Sequence, residues 1–244
     1  MIDIKMFKDA NLKGYTLIDA FPGAGLVGSM AGSYMIEKLG MEYIGYIESD
    51  EFPPIATIHN SMPMFPARIY KSDKSKFIII ISEFTVPSNS IYQLSREIMA
   101  FVRKYGISQI ISISGMPSQK PSGKVFLASP DPQTVKKATK LGIKAIEDGV
   151  IAGVSAVLMT NADQFNIPVM NLLVEVNPTI MDPKYAEIAI SGLNKLLDTN
   201  IDLRDLEKEA EIVEAKIRGL MKKMKDSHDT YTNATDAAGP SMYA

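Results

Sequence analysis

Tyr15-Thr-Leu-Ile-Asp-Ala-Phe21 runs straight into Pro22-Gly-Ala-Gly-Leu-Val-Gly28, and a helical pattern follows from Ser29 to Leu39, closed by Gly40. A short apolar run with no alternation predicts a buried strand. A glycine after the last helical residue is a C-cap signal. Strand, tight turn and helix in that order are the opening unit of an α/β fold.

The same alternation continues outward from this unit. Met41 to Ile47 predicts a second strand, and Phe52-Pro53-Pro54 breaks the chain. Ile55 to His59 and Ala67 to Tyr70 predict short strands on either side of the proline-rich stretch 60–66. Phe77 to Ser82 holds four consecutive isoleucines and predicts a central strand buried on both faces. Ile91, Leu94, Ile98, Phe101 and Val102 share one face of a helix spanning 89–105, which Gly106 stops. Ile107 to Ser112 predicts another buried strand, followed by a polar loop from Gly115 to Gly123. Pro130 and Pro132 open a helix through Lys140, and the glycine- and alanine-rich stretch from Gly149 to Met159 predicts a tightly packed one. Val169 to Val176 reads as a strand and Pro183 to Leu197 as a helix. The expectation is a doubly wound, mostly parallel sheet flanked by helices, spanning 1–200.

From Asp202 the period changes. Leu203, Leu206, Ala210, Val213, Ile217, Leu220 and Met224 occupy successive a and d heptad positions. Glu207, Glu209, Glu214, Lys216 and Lys223 flank that seam. The pattern predicts an amphipathic, coiled-coil-like helix over 201–226, either self-associating or lying on its own domain. Residues 227–244 have no apolar period and many small polar residues, so a flexible tail is expected.

Composition excludes several classes. The chain has 244 residues, 46% hydrophobic and 22% charged, with a net charge of −2. That balance gives no nucleic-acid surface. With no cysteine, disulfides and thiolate zinc sites are excluded. The two histidines, His59 and His228, are far apart, and no cluster has metal-ligand spacing. No apolar stretch reaches the ~20 residues of a membrane span and no signal peptide is evident, so a cytoplasmic protein is expected.

Gly23, Gly25 and Gly28 form G-x-G-x-x-G between a predicted strand and helix, with Glu48 at the end of the next strand. That is the context of a dinucleotide site, where glycines let backbone amides approach a phosphate. Pro22 removes an amide and stiffens the turn, and the chain beyond Glu48 does not continue as repeated strand–helix units. The reading preferred is a packing turn with no cofactor; a nucleotide-binding enzyme using this loop is the alternative. Ser112, Ser114 and Ser118 at a strand end, with Lys120 and Lys124 nearby, suit an anion or a solvated loop. No G-x-S-x-G supports a serine hydrolase. Glu83 and Glu175 at strand ends are read as capping or hydrogen-bonding groups before a general-acid pair, and His59 as a surface or satisfied side chain. No catalytic residue is assigned.

Phe21-Pro-Gly-Ala-Gly-Leu-Val-Gly28, Ser112-Ile-Ser-Gly115, Gly149-Val-Ile-Ala-Gly-Val-Ser-Ala-Val-Leu158, Leu172-Leu-Val-Glu175 and Asp182-Pro183 follow one another in an order that resembles the proteasome assembly chaperone 2 family, in its archaeal branch. The resemblance covers about Ile18 to Leu197. It implies a nucleoside-phosphorylase-like α/β fold, no established enzymatic activity, and homo-oligomers. Some archaeal members end in a hydrophobic–tyrosine–any-residue motif of the kind that docks on the proteasome core particle. Met242, Tyr243 and Ala244 match that motif at the chain end. The resemblance therefore implies α subunits of the core particle as partners, with these three residues as the binding site.

Overall fold

The computed structural model describes residues 1–206. In chain order the elements are β1 (Ile2–Met6), β2 (Thr16–Ala20), α1 (Val27–Lys38), β3 (Glu42–Ser49), β4 (Thr57–His59), β5 (Met62–Met64), β6 (Ala67–Ser72), β7 (Phe77–Ser82) and α2 (Ile91–Tyr105). Then follow β8 (Gln109–Pro117), β9 (Val125–Ala128), α3 (Pro132–Lys140), β10 (Lys144–Ala145), α4 (Val154–Thr160), α5 (Ala162–Phe165), β11 (Val169–Val176) and α6 (Pro183–Leu197). Nine strands form one sheet in the order β1-β3-β6-β7-β2-β8-β11-β9-β10, and β4 and β5 form a separate hairpin.

The centre of the sheet, β7-β2-β8-β11, is parallel. Every residue of β2 and β7 is buried, so each isoleucine of β7 contributes about 1.5–3 kcal/mol through its side chain. Period-2 alternation divides these strands between two cores. Ile18, Ala20, Ile79, Ile81, Ile111 and Ile113 pack against α1, α3 and α6. Leu17, Ile78, Ile80 and Ile110 pack against α2, α4 and α5. Helices on both faces of a parallel-centred sheet are the doubly wound arrangement expected. The outer wing, β1, β3 and β6, is antiparallel.

Local chemistry explains the helix starts. Asp131 accepts hydrogen bonds from the Gln133 and Thr134 amides and Asp182 from the Lys184 amide, each with proline at the first helical position.

Several elements differ from the sequence reading. Only Val154–Thr160 of the stretch from Gly149 to Met159 is helical; Gly153 sits at φ 82°, and Val150 is 92% exposed. Strand β8 runs on to Pro117 through the expected polar loop, because β11 offers paired partners that far. The proline-rich stretch forms β5, folded onto β4 about Asn60 and Ser61, both at positive φ as a type I′ hairpin turn requires. Strands β1, β9 and β10 have no counterpart in the sequence reading; each is short and takes its place from a neighbour.

The heptad helix and tail lie outside the described residues from position 207 onward, with Met242, Tyr243 and Ala244 among them. Of the seam, Leu206 is 1% exposed and Leu203 is partly buried, both in the α1–α6 core. The Asp202 carbonyl accepts from the Tyr34 hydroxyl at 2.6 Å, and Lys38 pairs with Asp205 at 2.6 Å. The segment 201–206 is thereby tied to α1.

The turn after β2 lies directly on β8. A Cβ at Gly115 would overlap the Ala24 carbonyl oxygen, and one at Gly28 would sit 2.5 Å from the Ile113 carbonyl oxygen. Nothing lies within 4 Å of a Cβ at Gly23. Gly115→Ala should therefore lower stability by about 1–3 kcal/mol or more, and Gly23→Ala should change it by less than about 1 kcal/mol. Urea denaturation midpoints of the two variants compare them; equal effects would mean that the loop is not packed on β8.

Candidate functional site

Strands β2 and β8 lie side by side, and the connections leaving them diverge, toward β3 on one side of the sheet and β9 on the other. This gap is a topological switch point, where open α/β sheets form a crevice at the carboxyl ends of their strands. A cavity of about 400 Å³ opens there, walled by Phe21, Gly23, Thr85, Ser114, Ile151 and Ser155 among others.

Beneath it lies a polar row that the apolar strands enclose. Asp19 on β2 is in register with Ser112 on β8, which is in register with Asn171 on β11. Asp19 is 1% exposed. Its Oδ2 accepts from the Ser112 hydroxyl at 2.7 Å and the Ser155 hydroxyl at 3.1 Å, and its Oδ1 from the Phe21 amide at 3.3 Å. Ser155 in turn lies 3.3 Å from Ser114. Burial pushes the Asp19 carboxyl above its ordinary value, against the pull of these hydrogen bonds. Both side-chain polar atoms of Asn171 are buried without a hydrogen-bond partner among the described residues.

A second buried cluster sits where the β4–β5 hairpin folds over the end of β7. Arg68 donates to Glu83 Oε1, to Thr57 Oγ1 at 2.8 Å and to the Phe65 carbonyl at 2.9 Å. His59 Nε2 lies 2.7 Å from the same Glu83 oxygen. Burial pushes the Glu83 carboxyl up, but the His59 hydrogen bond and the Arg68 guanidinium outweigh it and hold the group below its ordinary value. Nearby, burial pushes Tyr43 up to about 12. Within this cluster, Arg68 Nε, Glu83 Oε2 and the Tyr43 hydroxyl have no partner among the described residues.

The residues singled out from the sequence scatter among these features. Gly25 faces Val176, and Gly28 and Gly115 face backbone carbonyls, so these close approaches are to protein. Glu48 is on β3, with β6 and β7 between it and β2, and it faces Lys5 at 3.8 Å. A dinucleotide spanning the loop and that carboxylate would have to cross two strands. Glu175 accepts from the Ser122 amide at 2.7 Å and pins the loop after β8, and the Ser118 amide donates to the Val176 carbonyl. Glu83 and His59, considered separately in the sequence, form one cluster; Glu175 is engaged elsewhere. No group of three or more histidine and carboxylate side chains among the described residues has the arrangement to hold a metal. No described helix is long and apolar enough to cross a membrane. Asp19, Arg68 and Ser155 were missed. The signal for Asp19 was present: a lone acid inside a continuous apolar run must find buried partners.

Residues 17–221 match the PAC2 family. An uncharacterised protein of Methanocaldococcus jannaschii is 30% identical over 219 residues, 88% of this chain and 90% of that protein. The crystal structure of Pyrococcus furiosus PbaA, an archaeal homolog of proteasome-assembly chaperone, is similar with a TM-score of 0.82 and 27% identity, over 93% of this chain and 100% of that one. Pyrococcus furiosus PbaB, an archaeal proteasome activator, has a TM-score of 0.75 over 90% of this chain and 98% of its own; at 22% identity that likeness is one of fold.

Glu83→Gln should leave the Arg68 charge buried without its counter-ion and cost about 3–5 kcal/mol at neutral pH. The Glu83 value is depressed when folded, so its stabilisation is present above pH 4.5 and is lost as pH falls through the folded value. The gap between parent and variant in urea denaturation should accordingly narrow below pH 4.5. A gap that stays constant down to pH 3 would contradict the ion-pair account.

Proposed function

The chain belongs to the PAC2 family, and from that premise we propose that it is a cytoplasmic, non-enzymatic partner of the proteasome core particle, docking its C-terminus on the α ring and favouring an open entrance. The observation that carries this reading is a family match spanning the body, joined to a chain that ends in Met242-Tyr243-Ala244. Its likeness to PbaA over nearly the whole chain supports the assembly-chaperone side of the proposal.

The chemistry of the three residues suits a pocket between adjacent ring subunits. The terminal carboxylate, with a reference pKa near ~3.5, is ionised at neutral pH and can pair with a lysine. Tyr243 brings an apolar ring with one hydroxyl, suited to an interface anchor. Met242 adapts to an apolar groove. One such contact is weak, so a homo-oligomer presenting several would gain through effective concentration. Reach favours the reading. The 18 residues from Ser227 to Ala244, taken as a random coil, span roughly 20–25 Å, with an extended limit near ~60 Å. At the start of the expected helix, Asp202 and Asp205 are held on α1 by Tyr34 and Lys38.

Three variants test the docking chemistry. Tyr243→Ala removes the ring, and deletion of Met242 to Ala244 removes the whole motif. One glycine added after Ala244 moves the carboxylate by up to ~3.5 Å without altering a side chain. All three should lose binding to purified core particle and stimulation of peptide hydrolysis, with the particle mass of the protein unchanged in sedimentation. Parent-like binding and stimulation by the glycine-extended form would overturn carboxylate docking.

A further inference from the structure

We propose that the crevice between β2 and β8 is a binding site for a small molecule that carries no negative charge, has an apolar body, and is anchored by a hydroxyl group on Ser114 and Ser155. This is independent of the proteasome reading, which rests on the chain end.

The volume comes first. About 400 Å³ at a switch point lies within the range of small-molecule sites. Its walls decide the class of occupant. Phe21, Val86, Ile91, Ile151, Val154 and Leu173 offer apolar surface, and no charged side chain lines the cavity among the described residues.

The polar anchor follows from a count of protons. Ser112 and Ser155 each have one hydroxyl hydrogen, and both face Asp19 Oδ2. With the Ser155 hydrogen directed to Asp19, the Ser114–Ser155 contact takes its hydrogen from Ser114. The cavity wall then presents oxygen lone pairs, with a carboxylate two hydroxyls behind them. If Asp19 instead holds a proton, as its burial favours, the chain of donors can run the other way and end in an outward hydroxyl hydrogen. A ligand hydroxyl both donates and accepts, so it completes the chain in either state. A phosphate is disfavoured by its charge, roughly one to two negative charges near neutral pH, brought to a site with no cationic side chain among the described residues.

The remaining route to a phosphate is the amides of the glycine turn, whose Gly23, Ala24 and Gly28 line the same cavity. Close packing narrows that route, and the phosphate arm of the titration decides it. Gly25 meets Val176, Gly28 meets the Ile113 carbonyl, and the Leu26 amide is bonded to the Gly23 carbonyl at 3.0 Å.

The test uses the full chain with labelled isoleucine, leucine and valine methyl groups, titrated with 2-phenylethanol, ethylbenzene and 2-phenylethyl phosphate. The alcohol should give saturable shifts at Ile151, Val154 and Leu173 and bind at least tenfold more tightly than either of the other two. Ser114→Ala leaves all three Asp19 contacts in place and should bring the alcohol down to the ethylbenzene level. Ser155→Ala should do the same. The proposal is overturned if the alcohol gives no saturable shift at these methyls, if the phosphate binds as tightly, or if Ser114→Ala binds the alcohol like the parent.

Discussion

The Ala24 carbonyl oxygen occupies the space where a side chain at residue 115 would begin. That contact lays the turn after β2 on the surface of β8, and much of the molecule takes its position from it. It sets the start of α1, whose Gly28 lies against the Ile113 carbonyl and whose Gly32 lies against Ala20. Helix α1 then presents Tyr34 and Lys38 to the segment 201–206. A backbone contact at the centre of the sheet thus fixes the place from which the C-terminal stretch departs. Ala24 and Gly115 also line the crevice at the β2–β8 gap, so the packing turn forms part of its wall.

Two buried carboxyls show how differently the fold treats charge. Glu83 has a guanidinium and an imidazole against one oxygen, and the net effect favours its ionised form. Asp19 has only hydroxyls and an amide, and burial favours its neutral form. Their linkages to pH have opposite signs. Glu83 stabilises the fold above pH 4.5, whereas any stabilisation from a protonated Asp19 is lost as pH rises through its folded value. Glu83 reads as a clasp that fastens the β4–β5 hairpin to the sheet. Asp19 costs stability when ionised and lies behind Ser155, whose hydroxyl it accepts from and which lines the cavity.

Much of the fold was legible because its centre is apolar without interruption. Phe77–Ser82, Val169–Val176 and Pro183–Leu197 have the same limits in the structure as in the sequence reading. Local chemistry was enough there: an unbroken isoleucine run for the first strand, a mostly apolar run for the second, and a proline opening the helix. The elements that were missed depend on their neighbours. Strand β1 becomes a strand by pairing with β3, and β8 is extended by β11. The candidate site was less legible still. Its glycines were found, and the packing reasons lie in distant parts of the chain: the Val176 side chain for Gly25 and the Ile113 carbonyl for Gly28. The Arg68–Glu83–His59 cluster joins β6, β4 and the residue just past β7, and no spacing in the sequence marks it.

The body gives the chain its family, and the proposal that the C-terminus docks on the core particle turns on where Tyr243 goes. A photo-crosslinking amino acid with an aromatic ring in place of Tyr243 preserves the terminal carboxylate and places the reactive group at the proposed anchor. Irradiation with purified core particle, followed by mass spectrometric mapping, locates its neighbours. Cross-links to facing surfaces of two adjacent α subunits are the result predicted. Cross-links confined to the protein's own body, or to β subunits, would contradict the account.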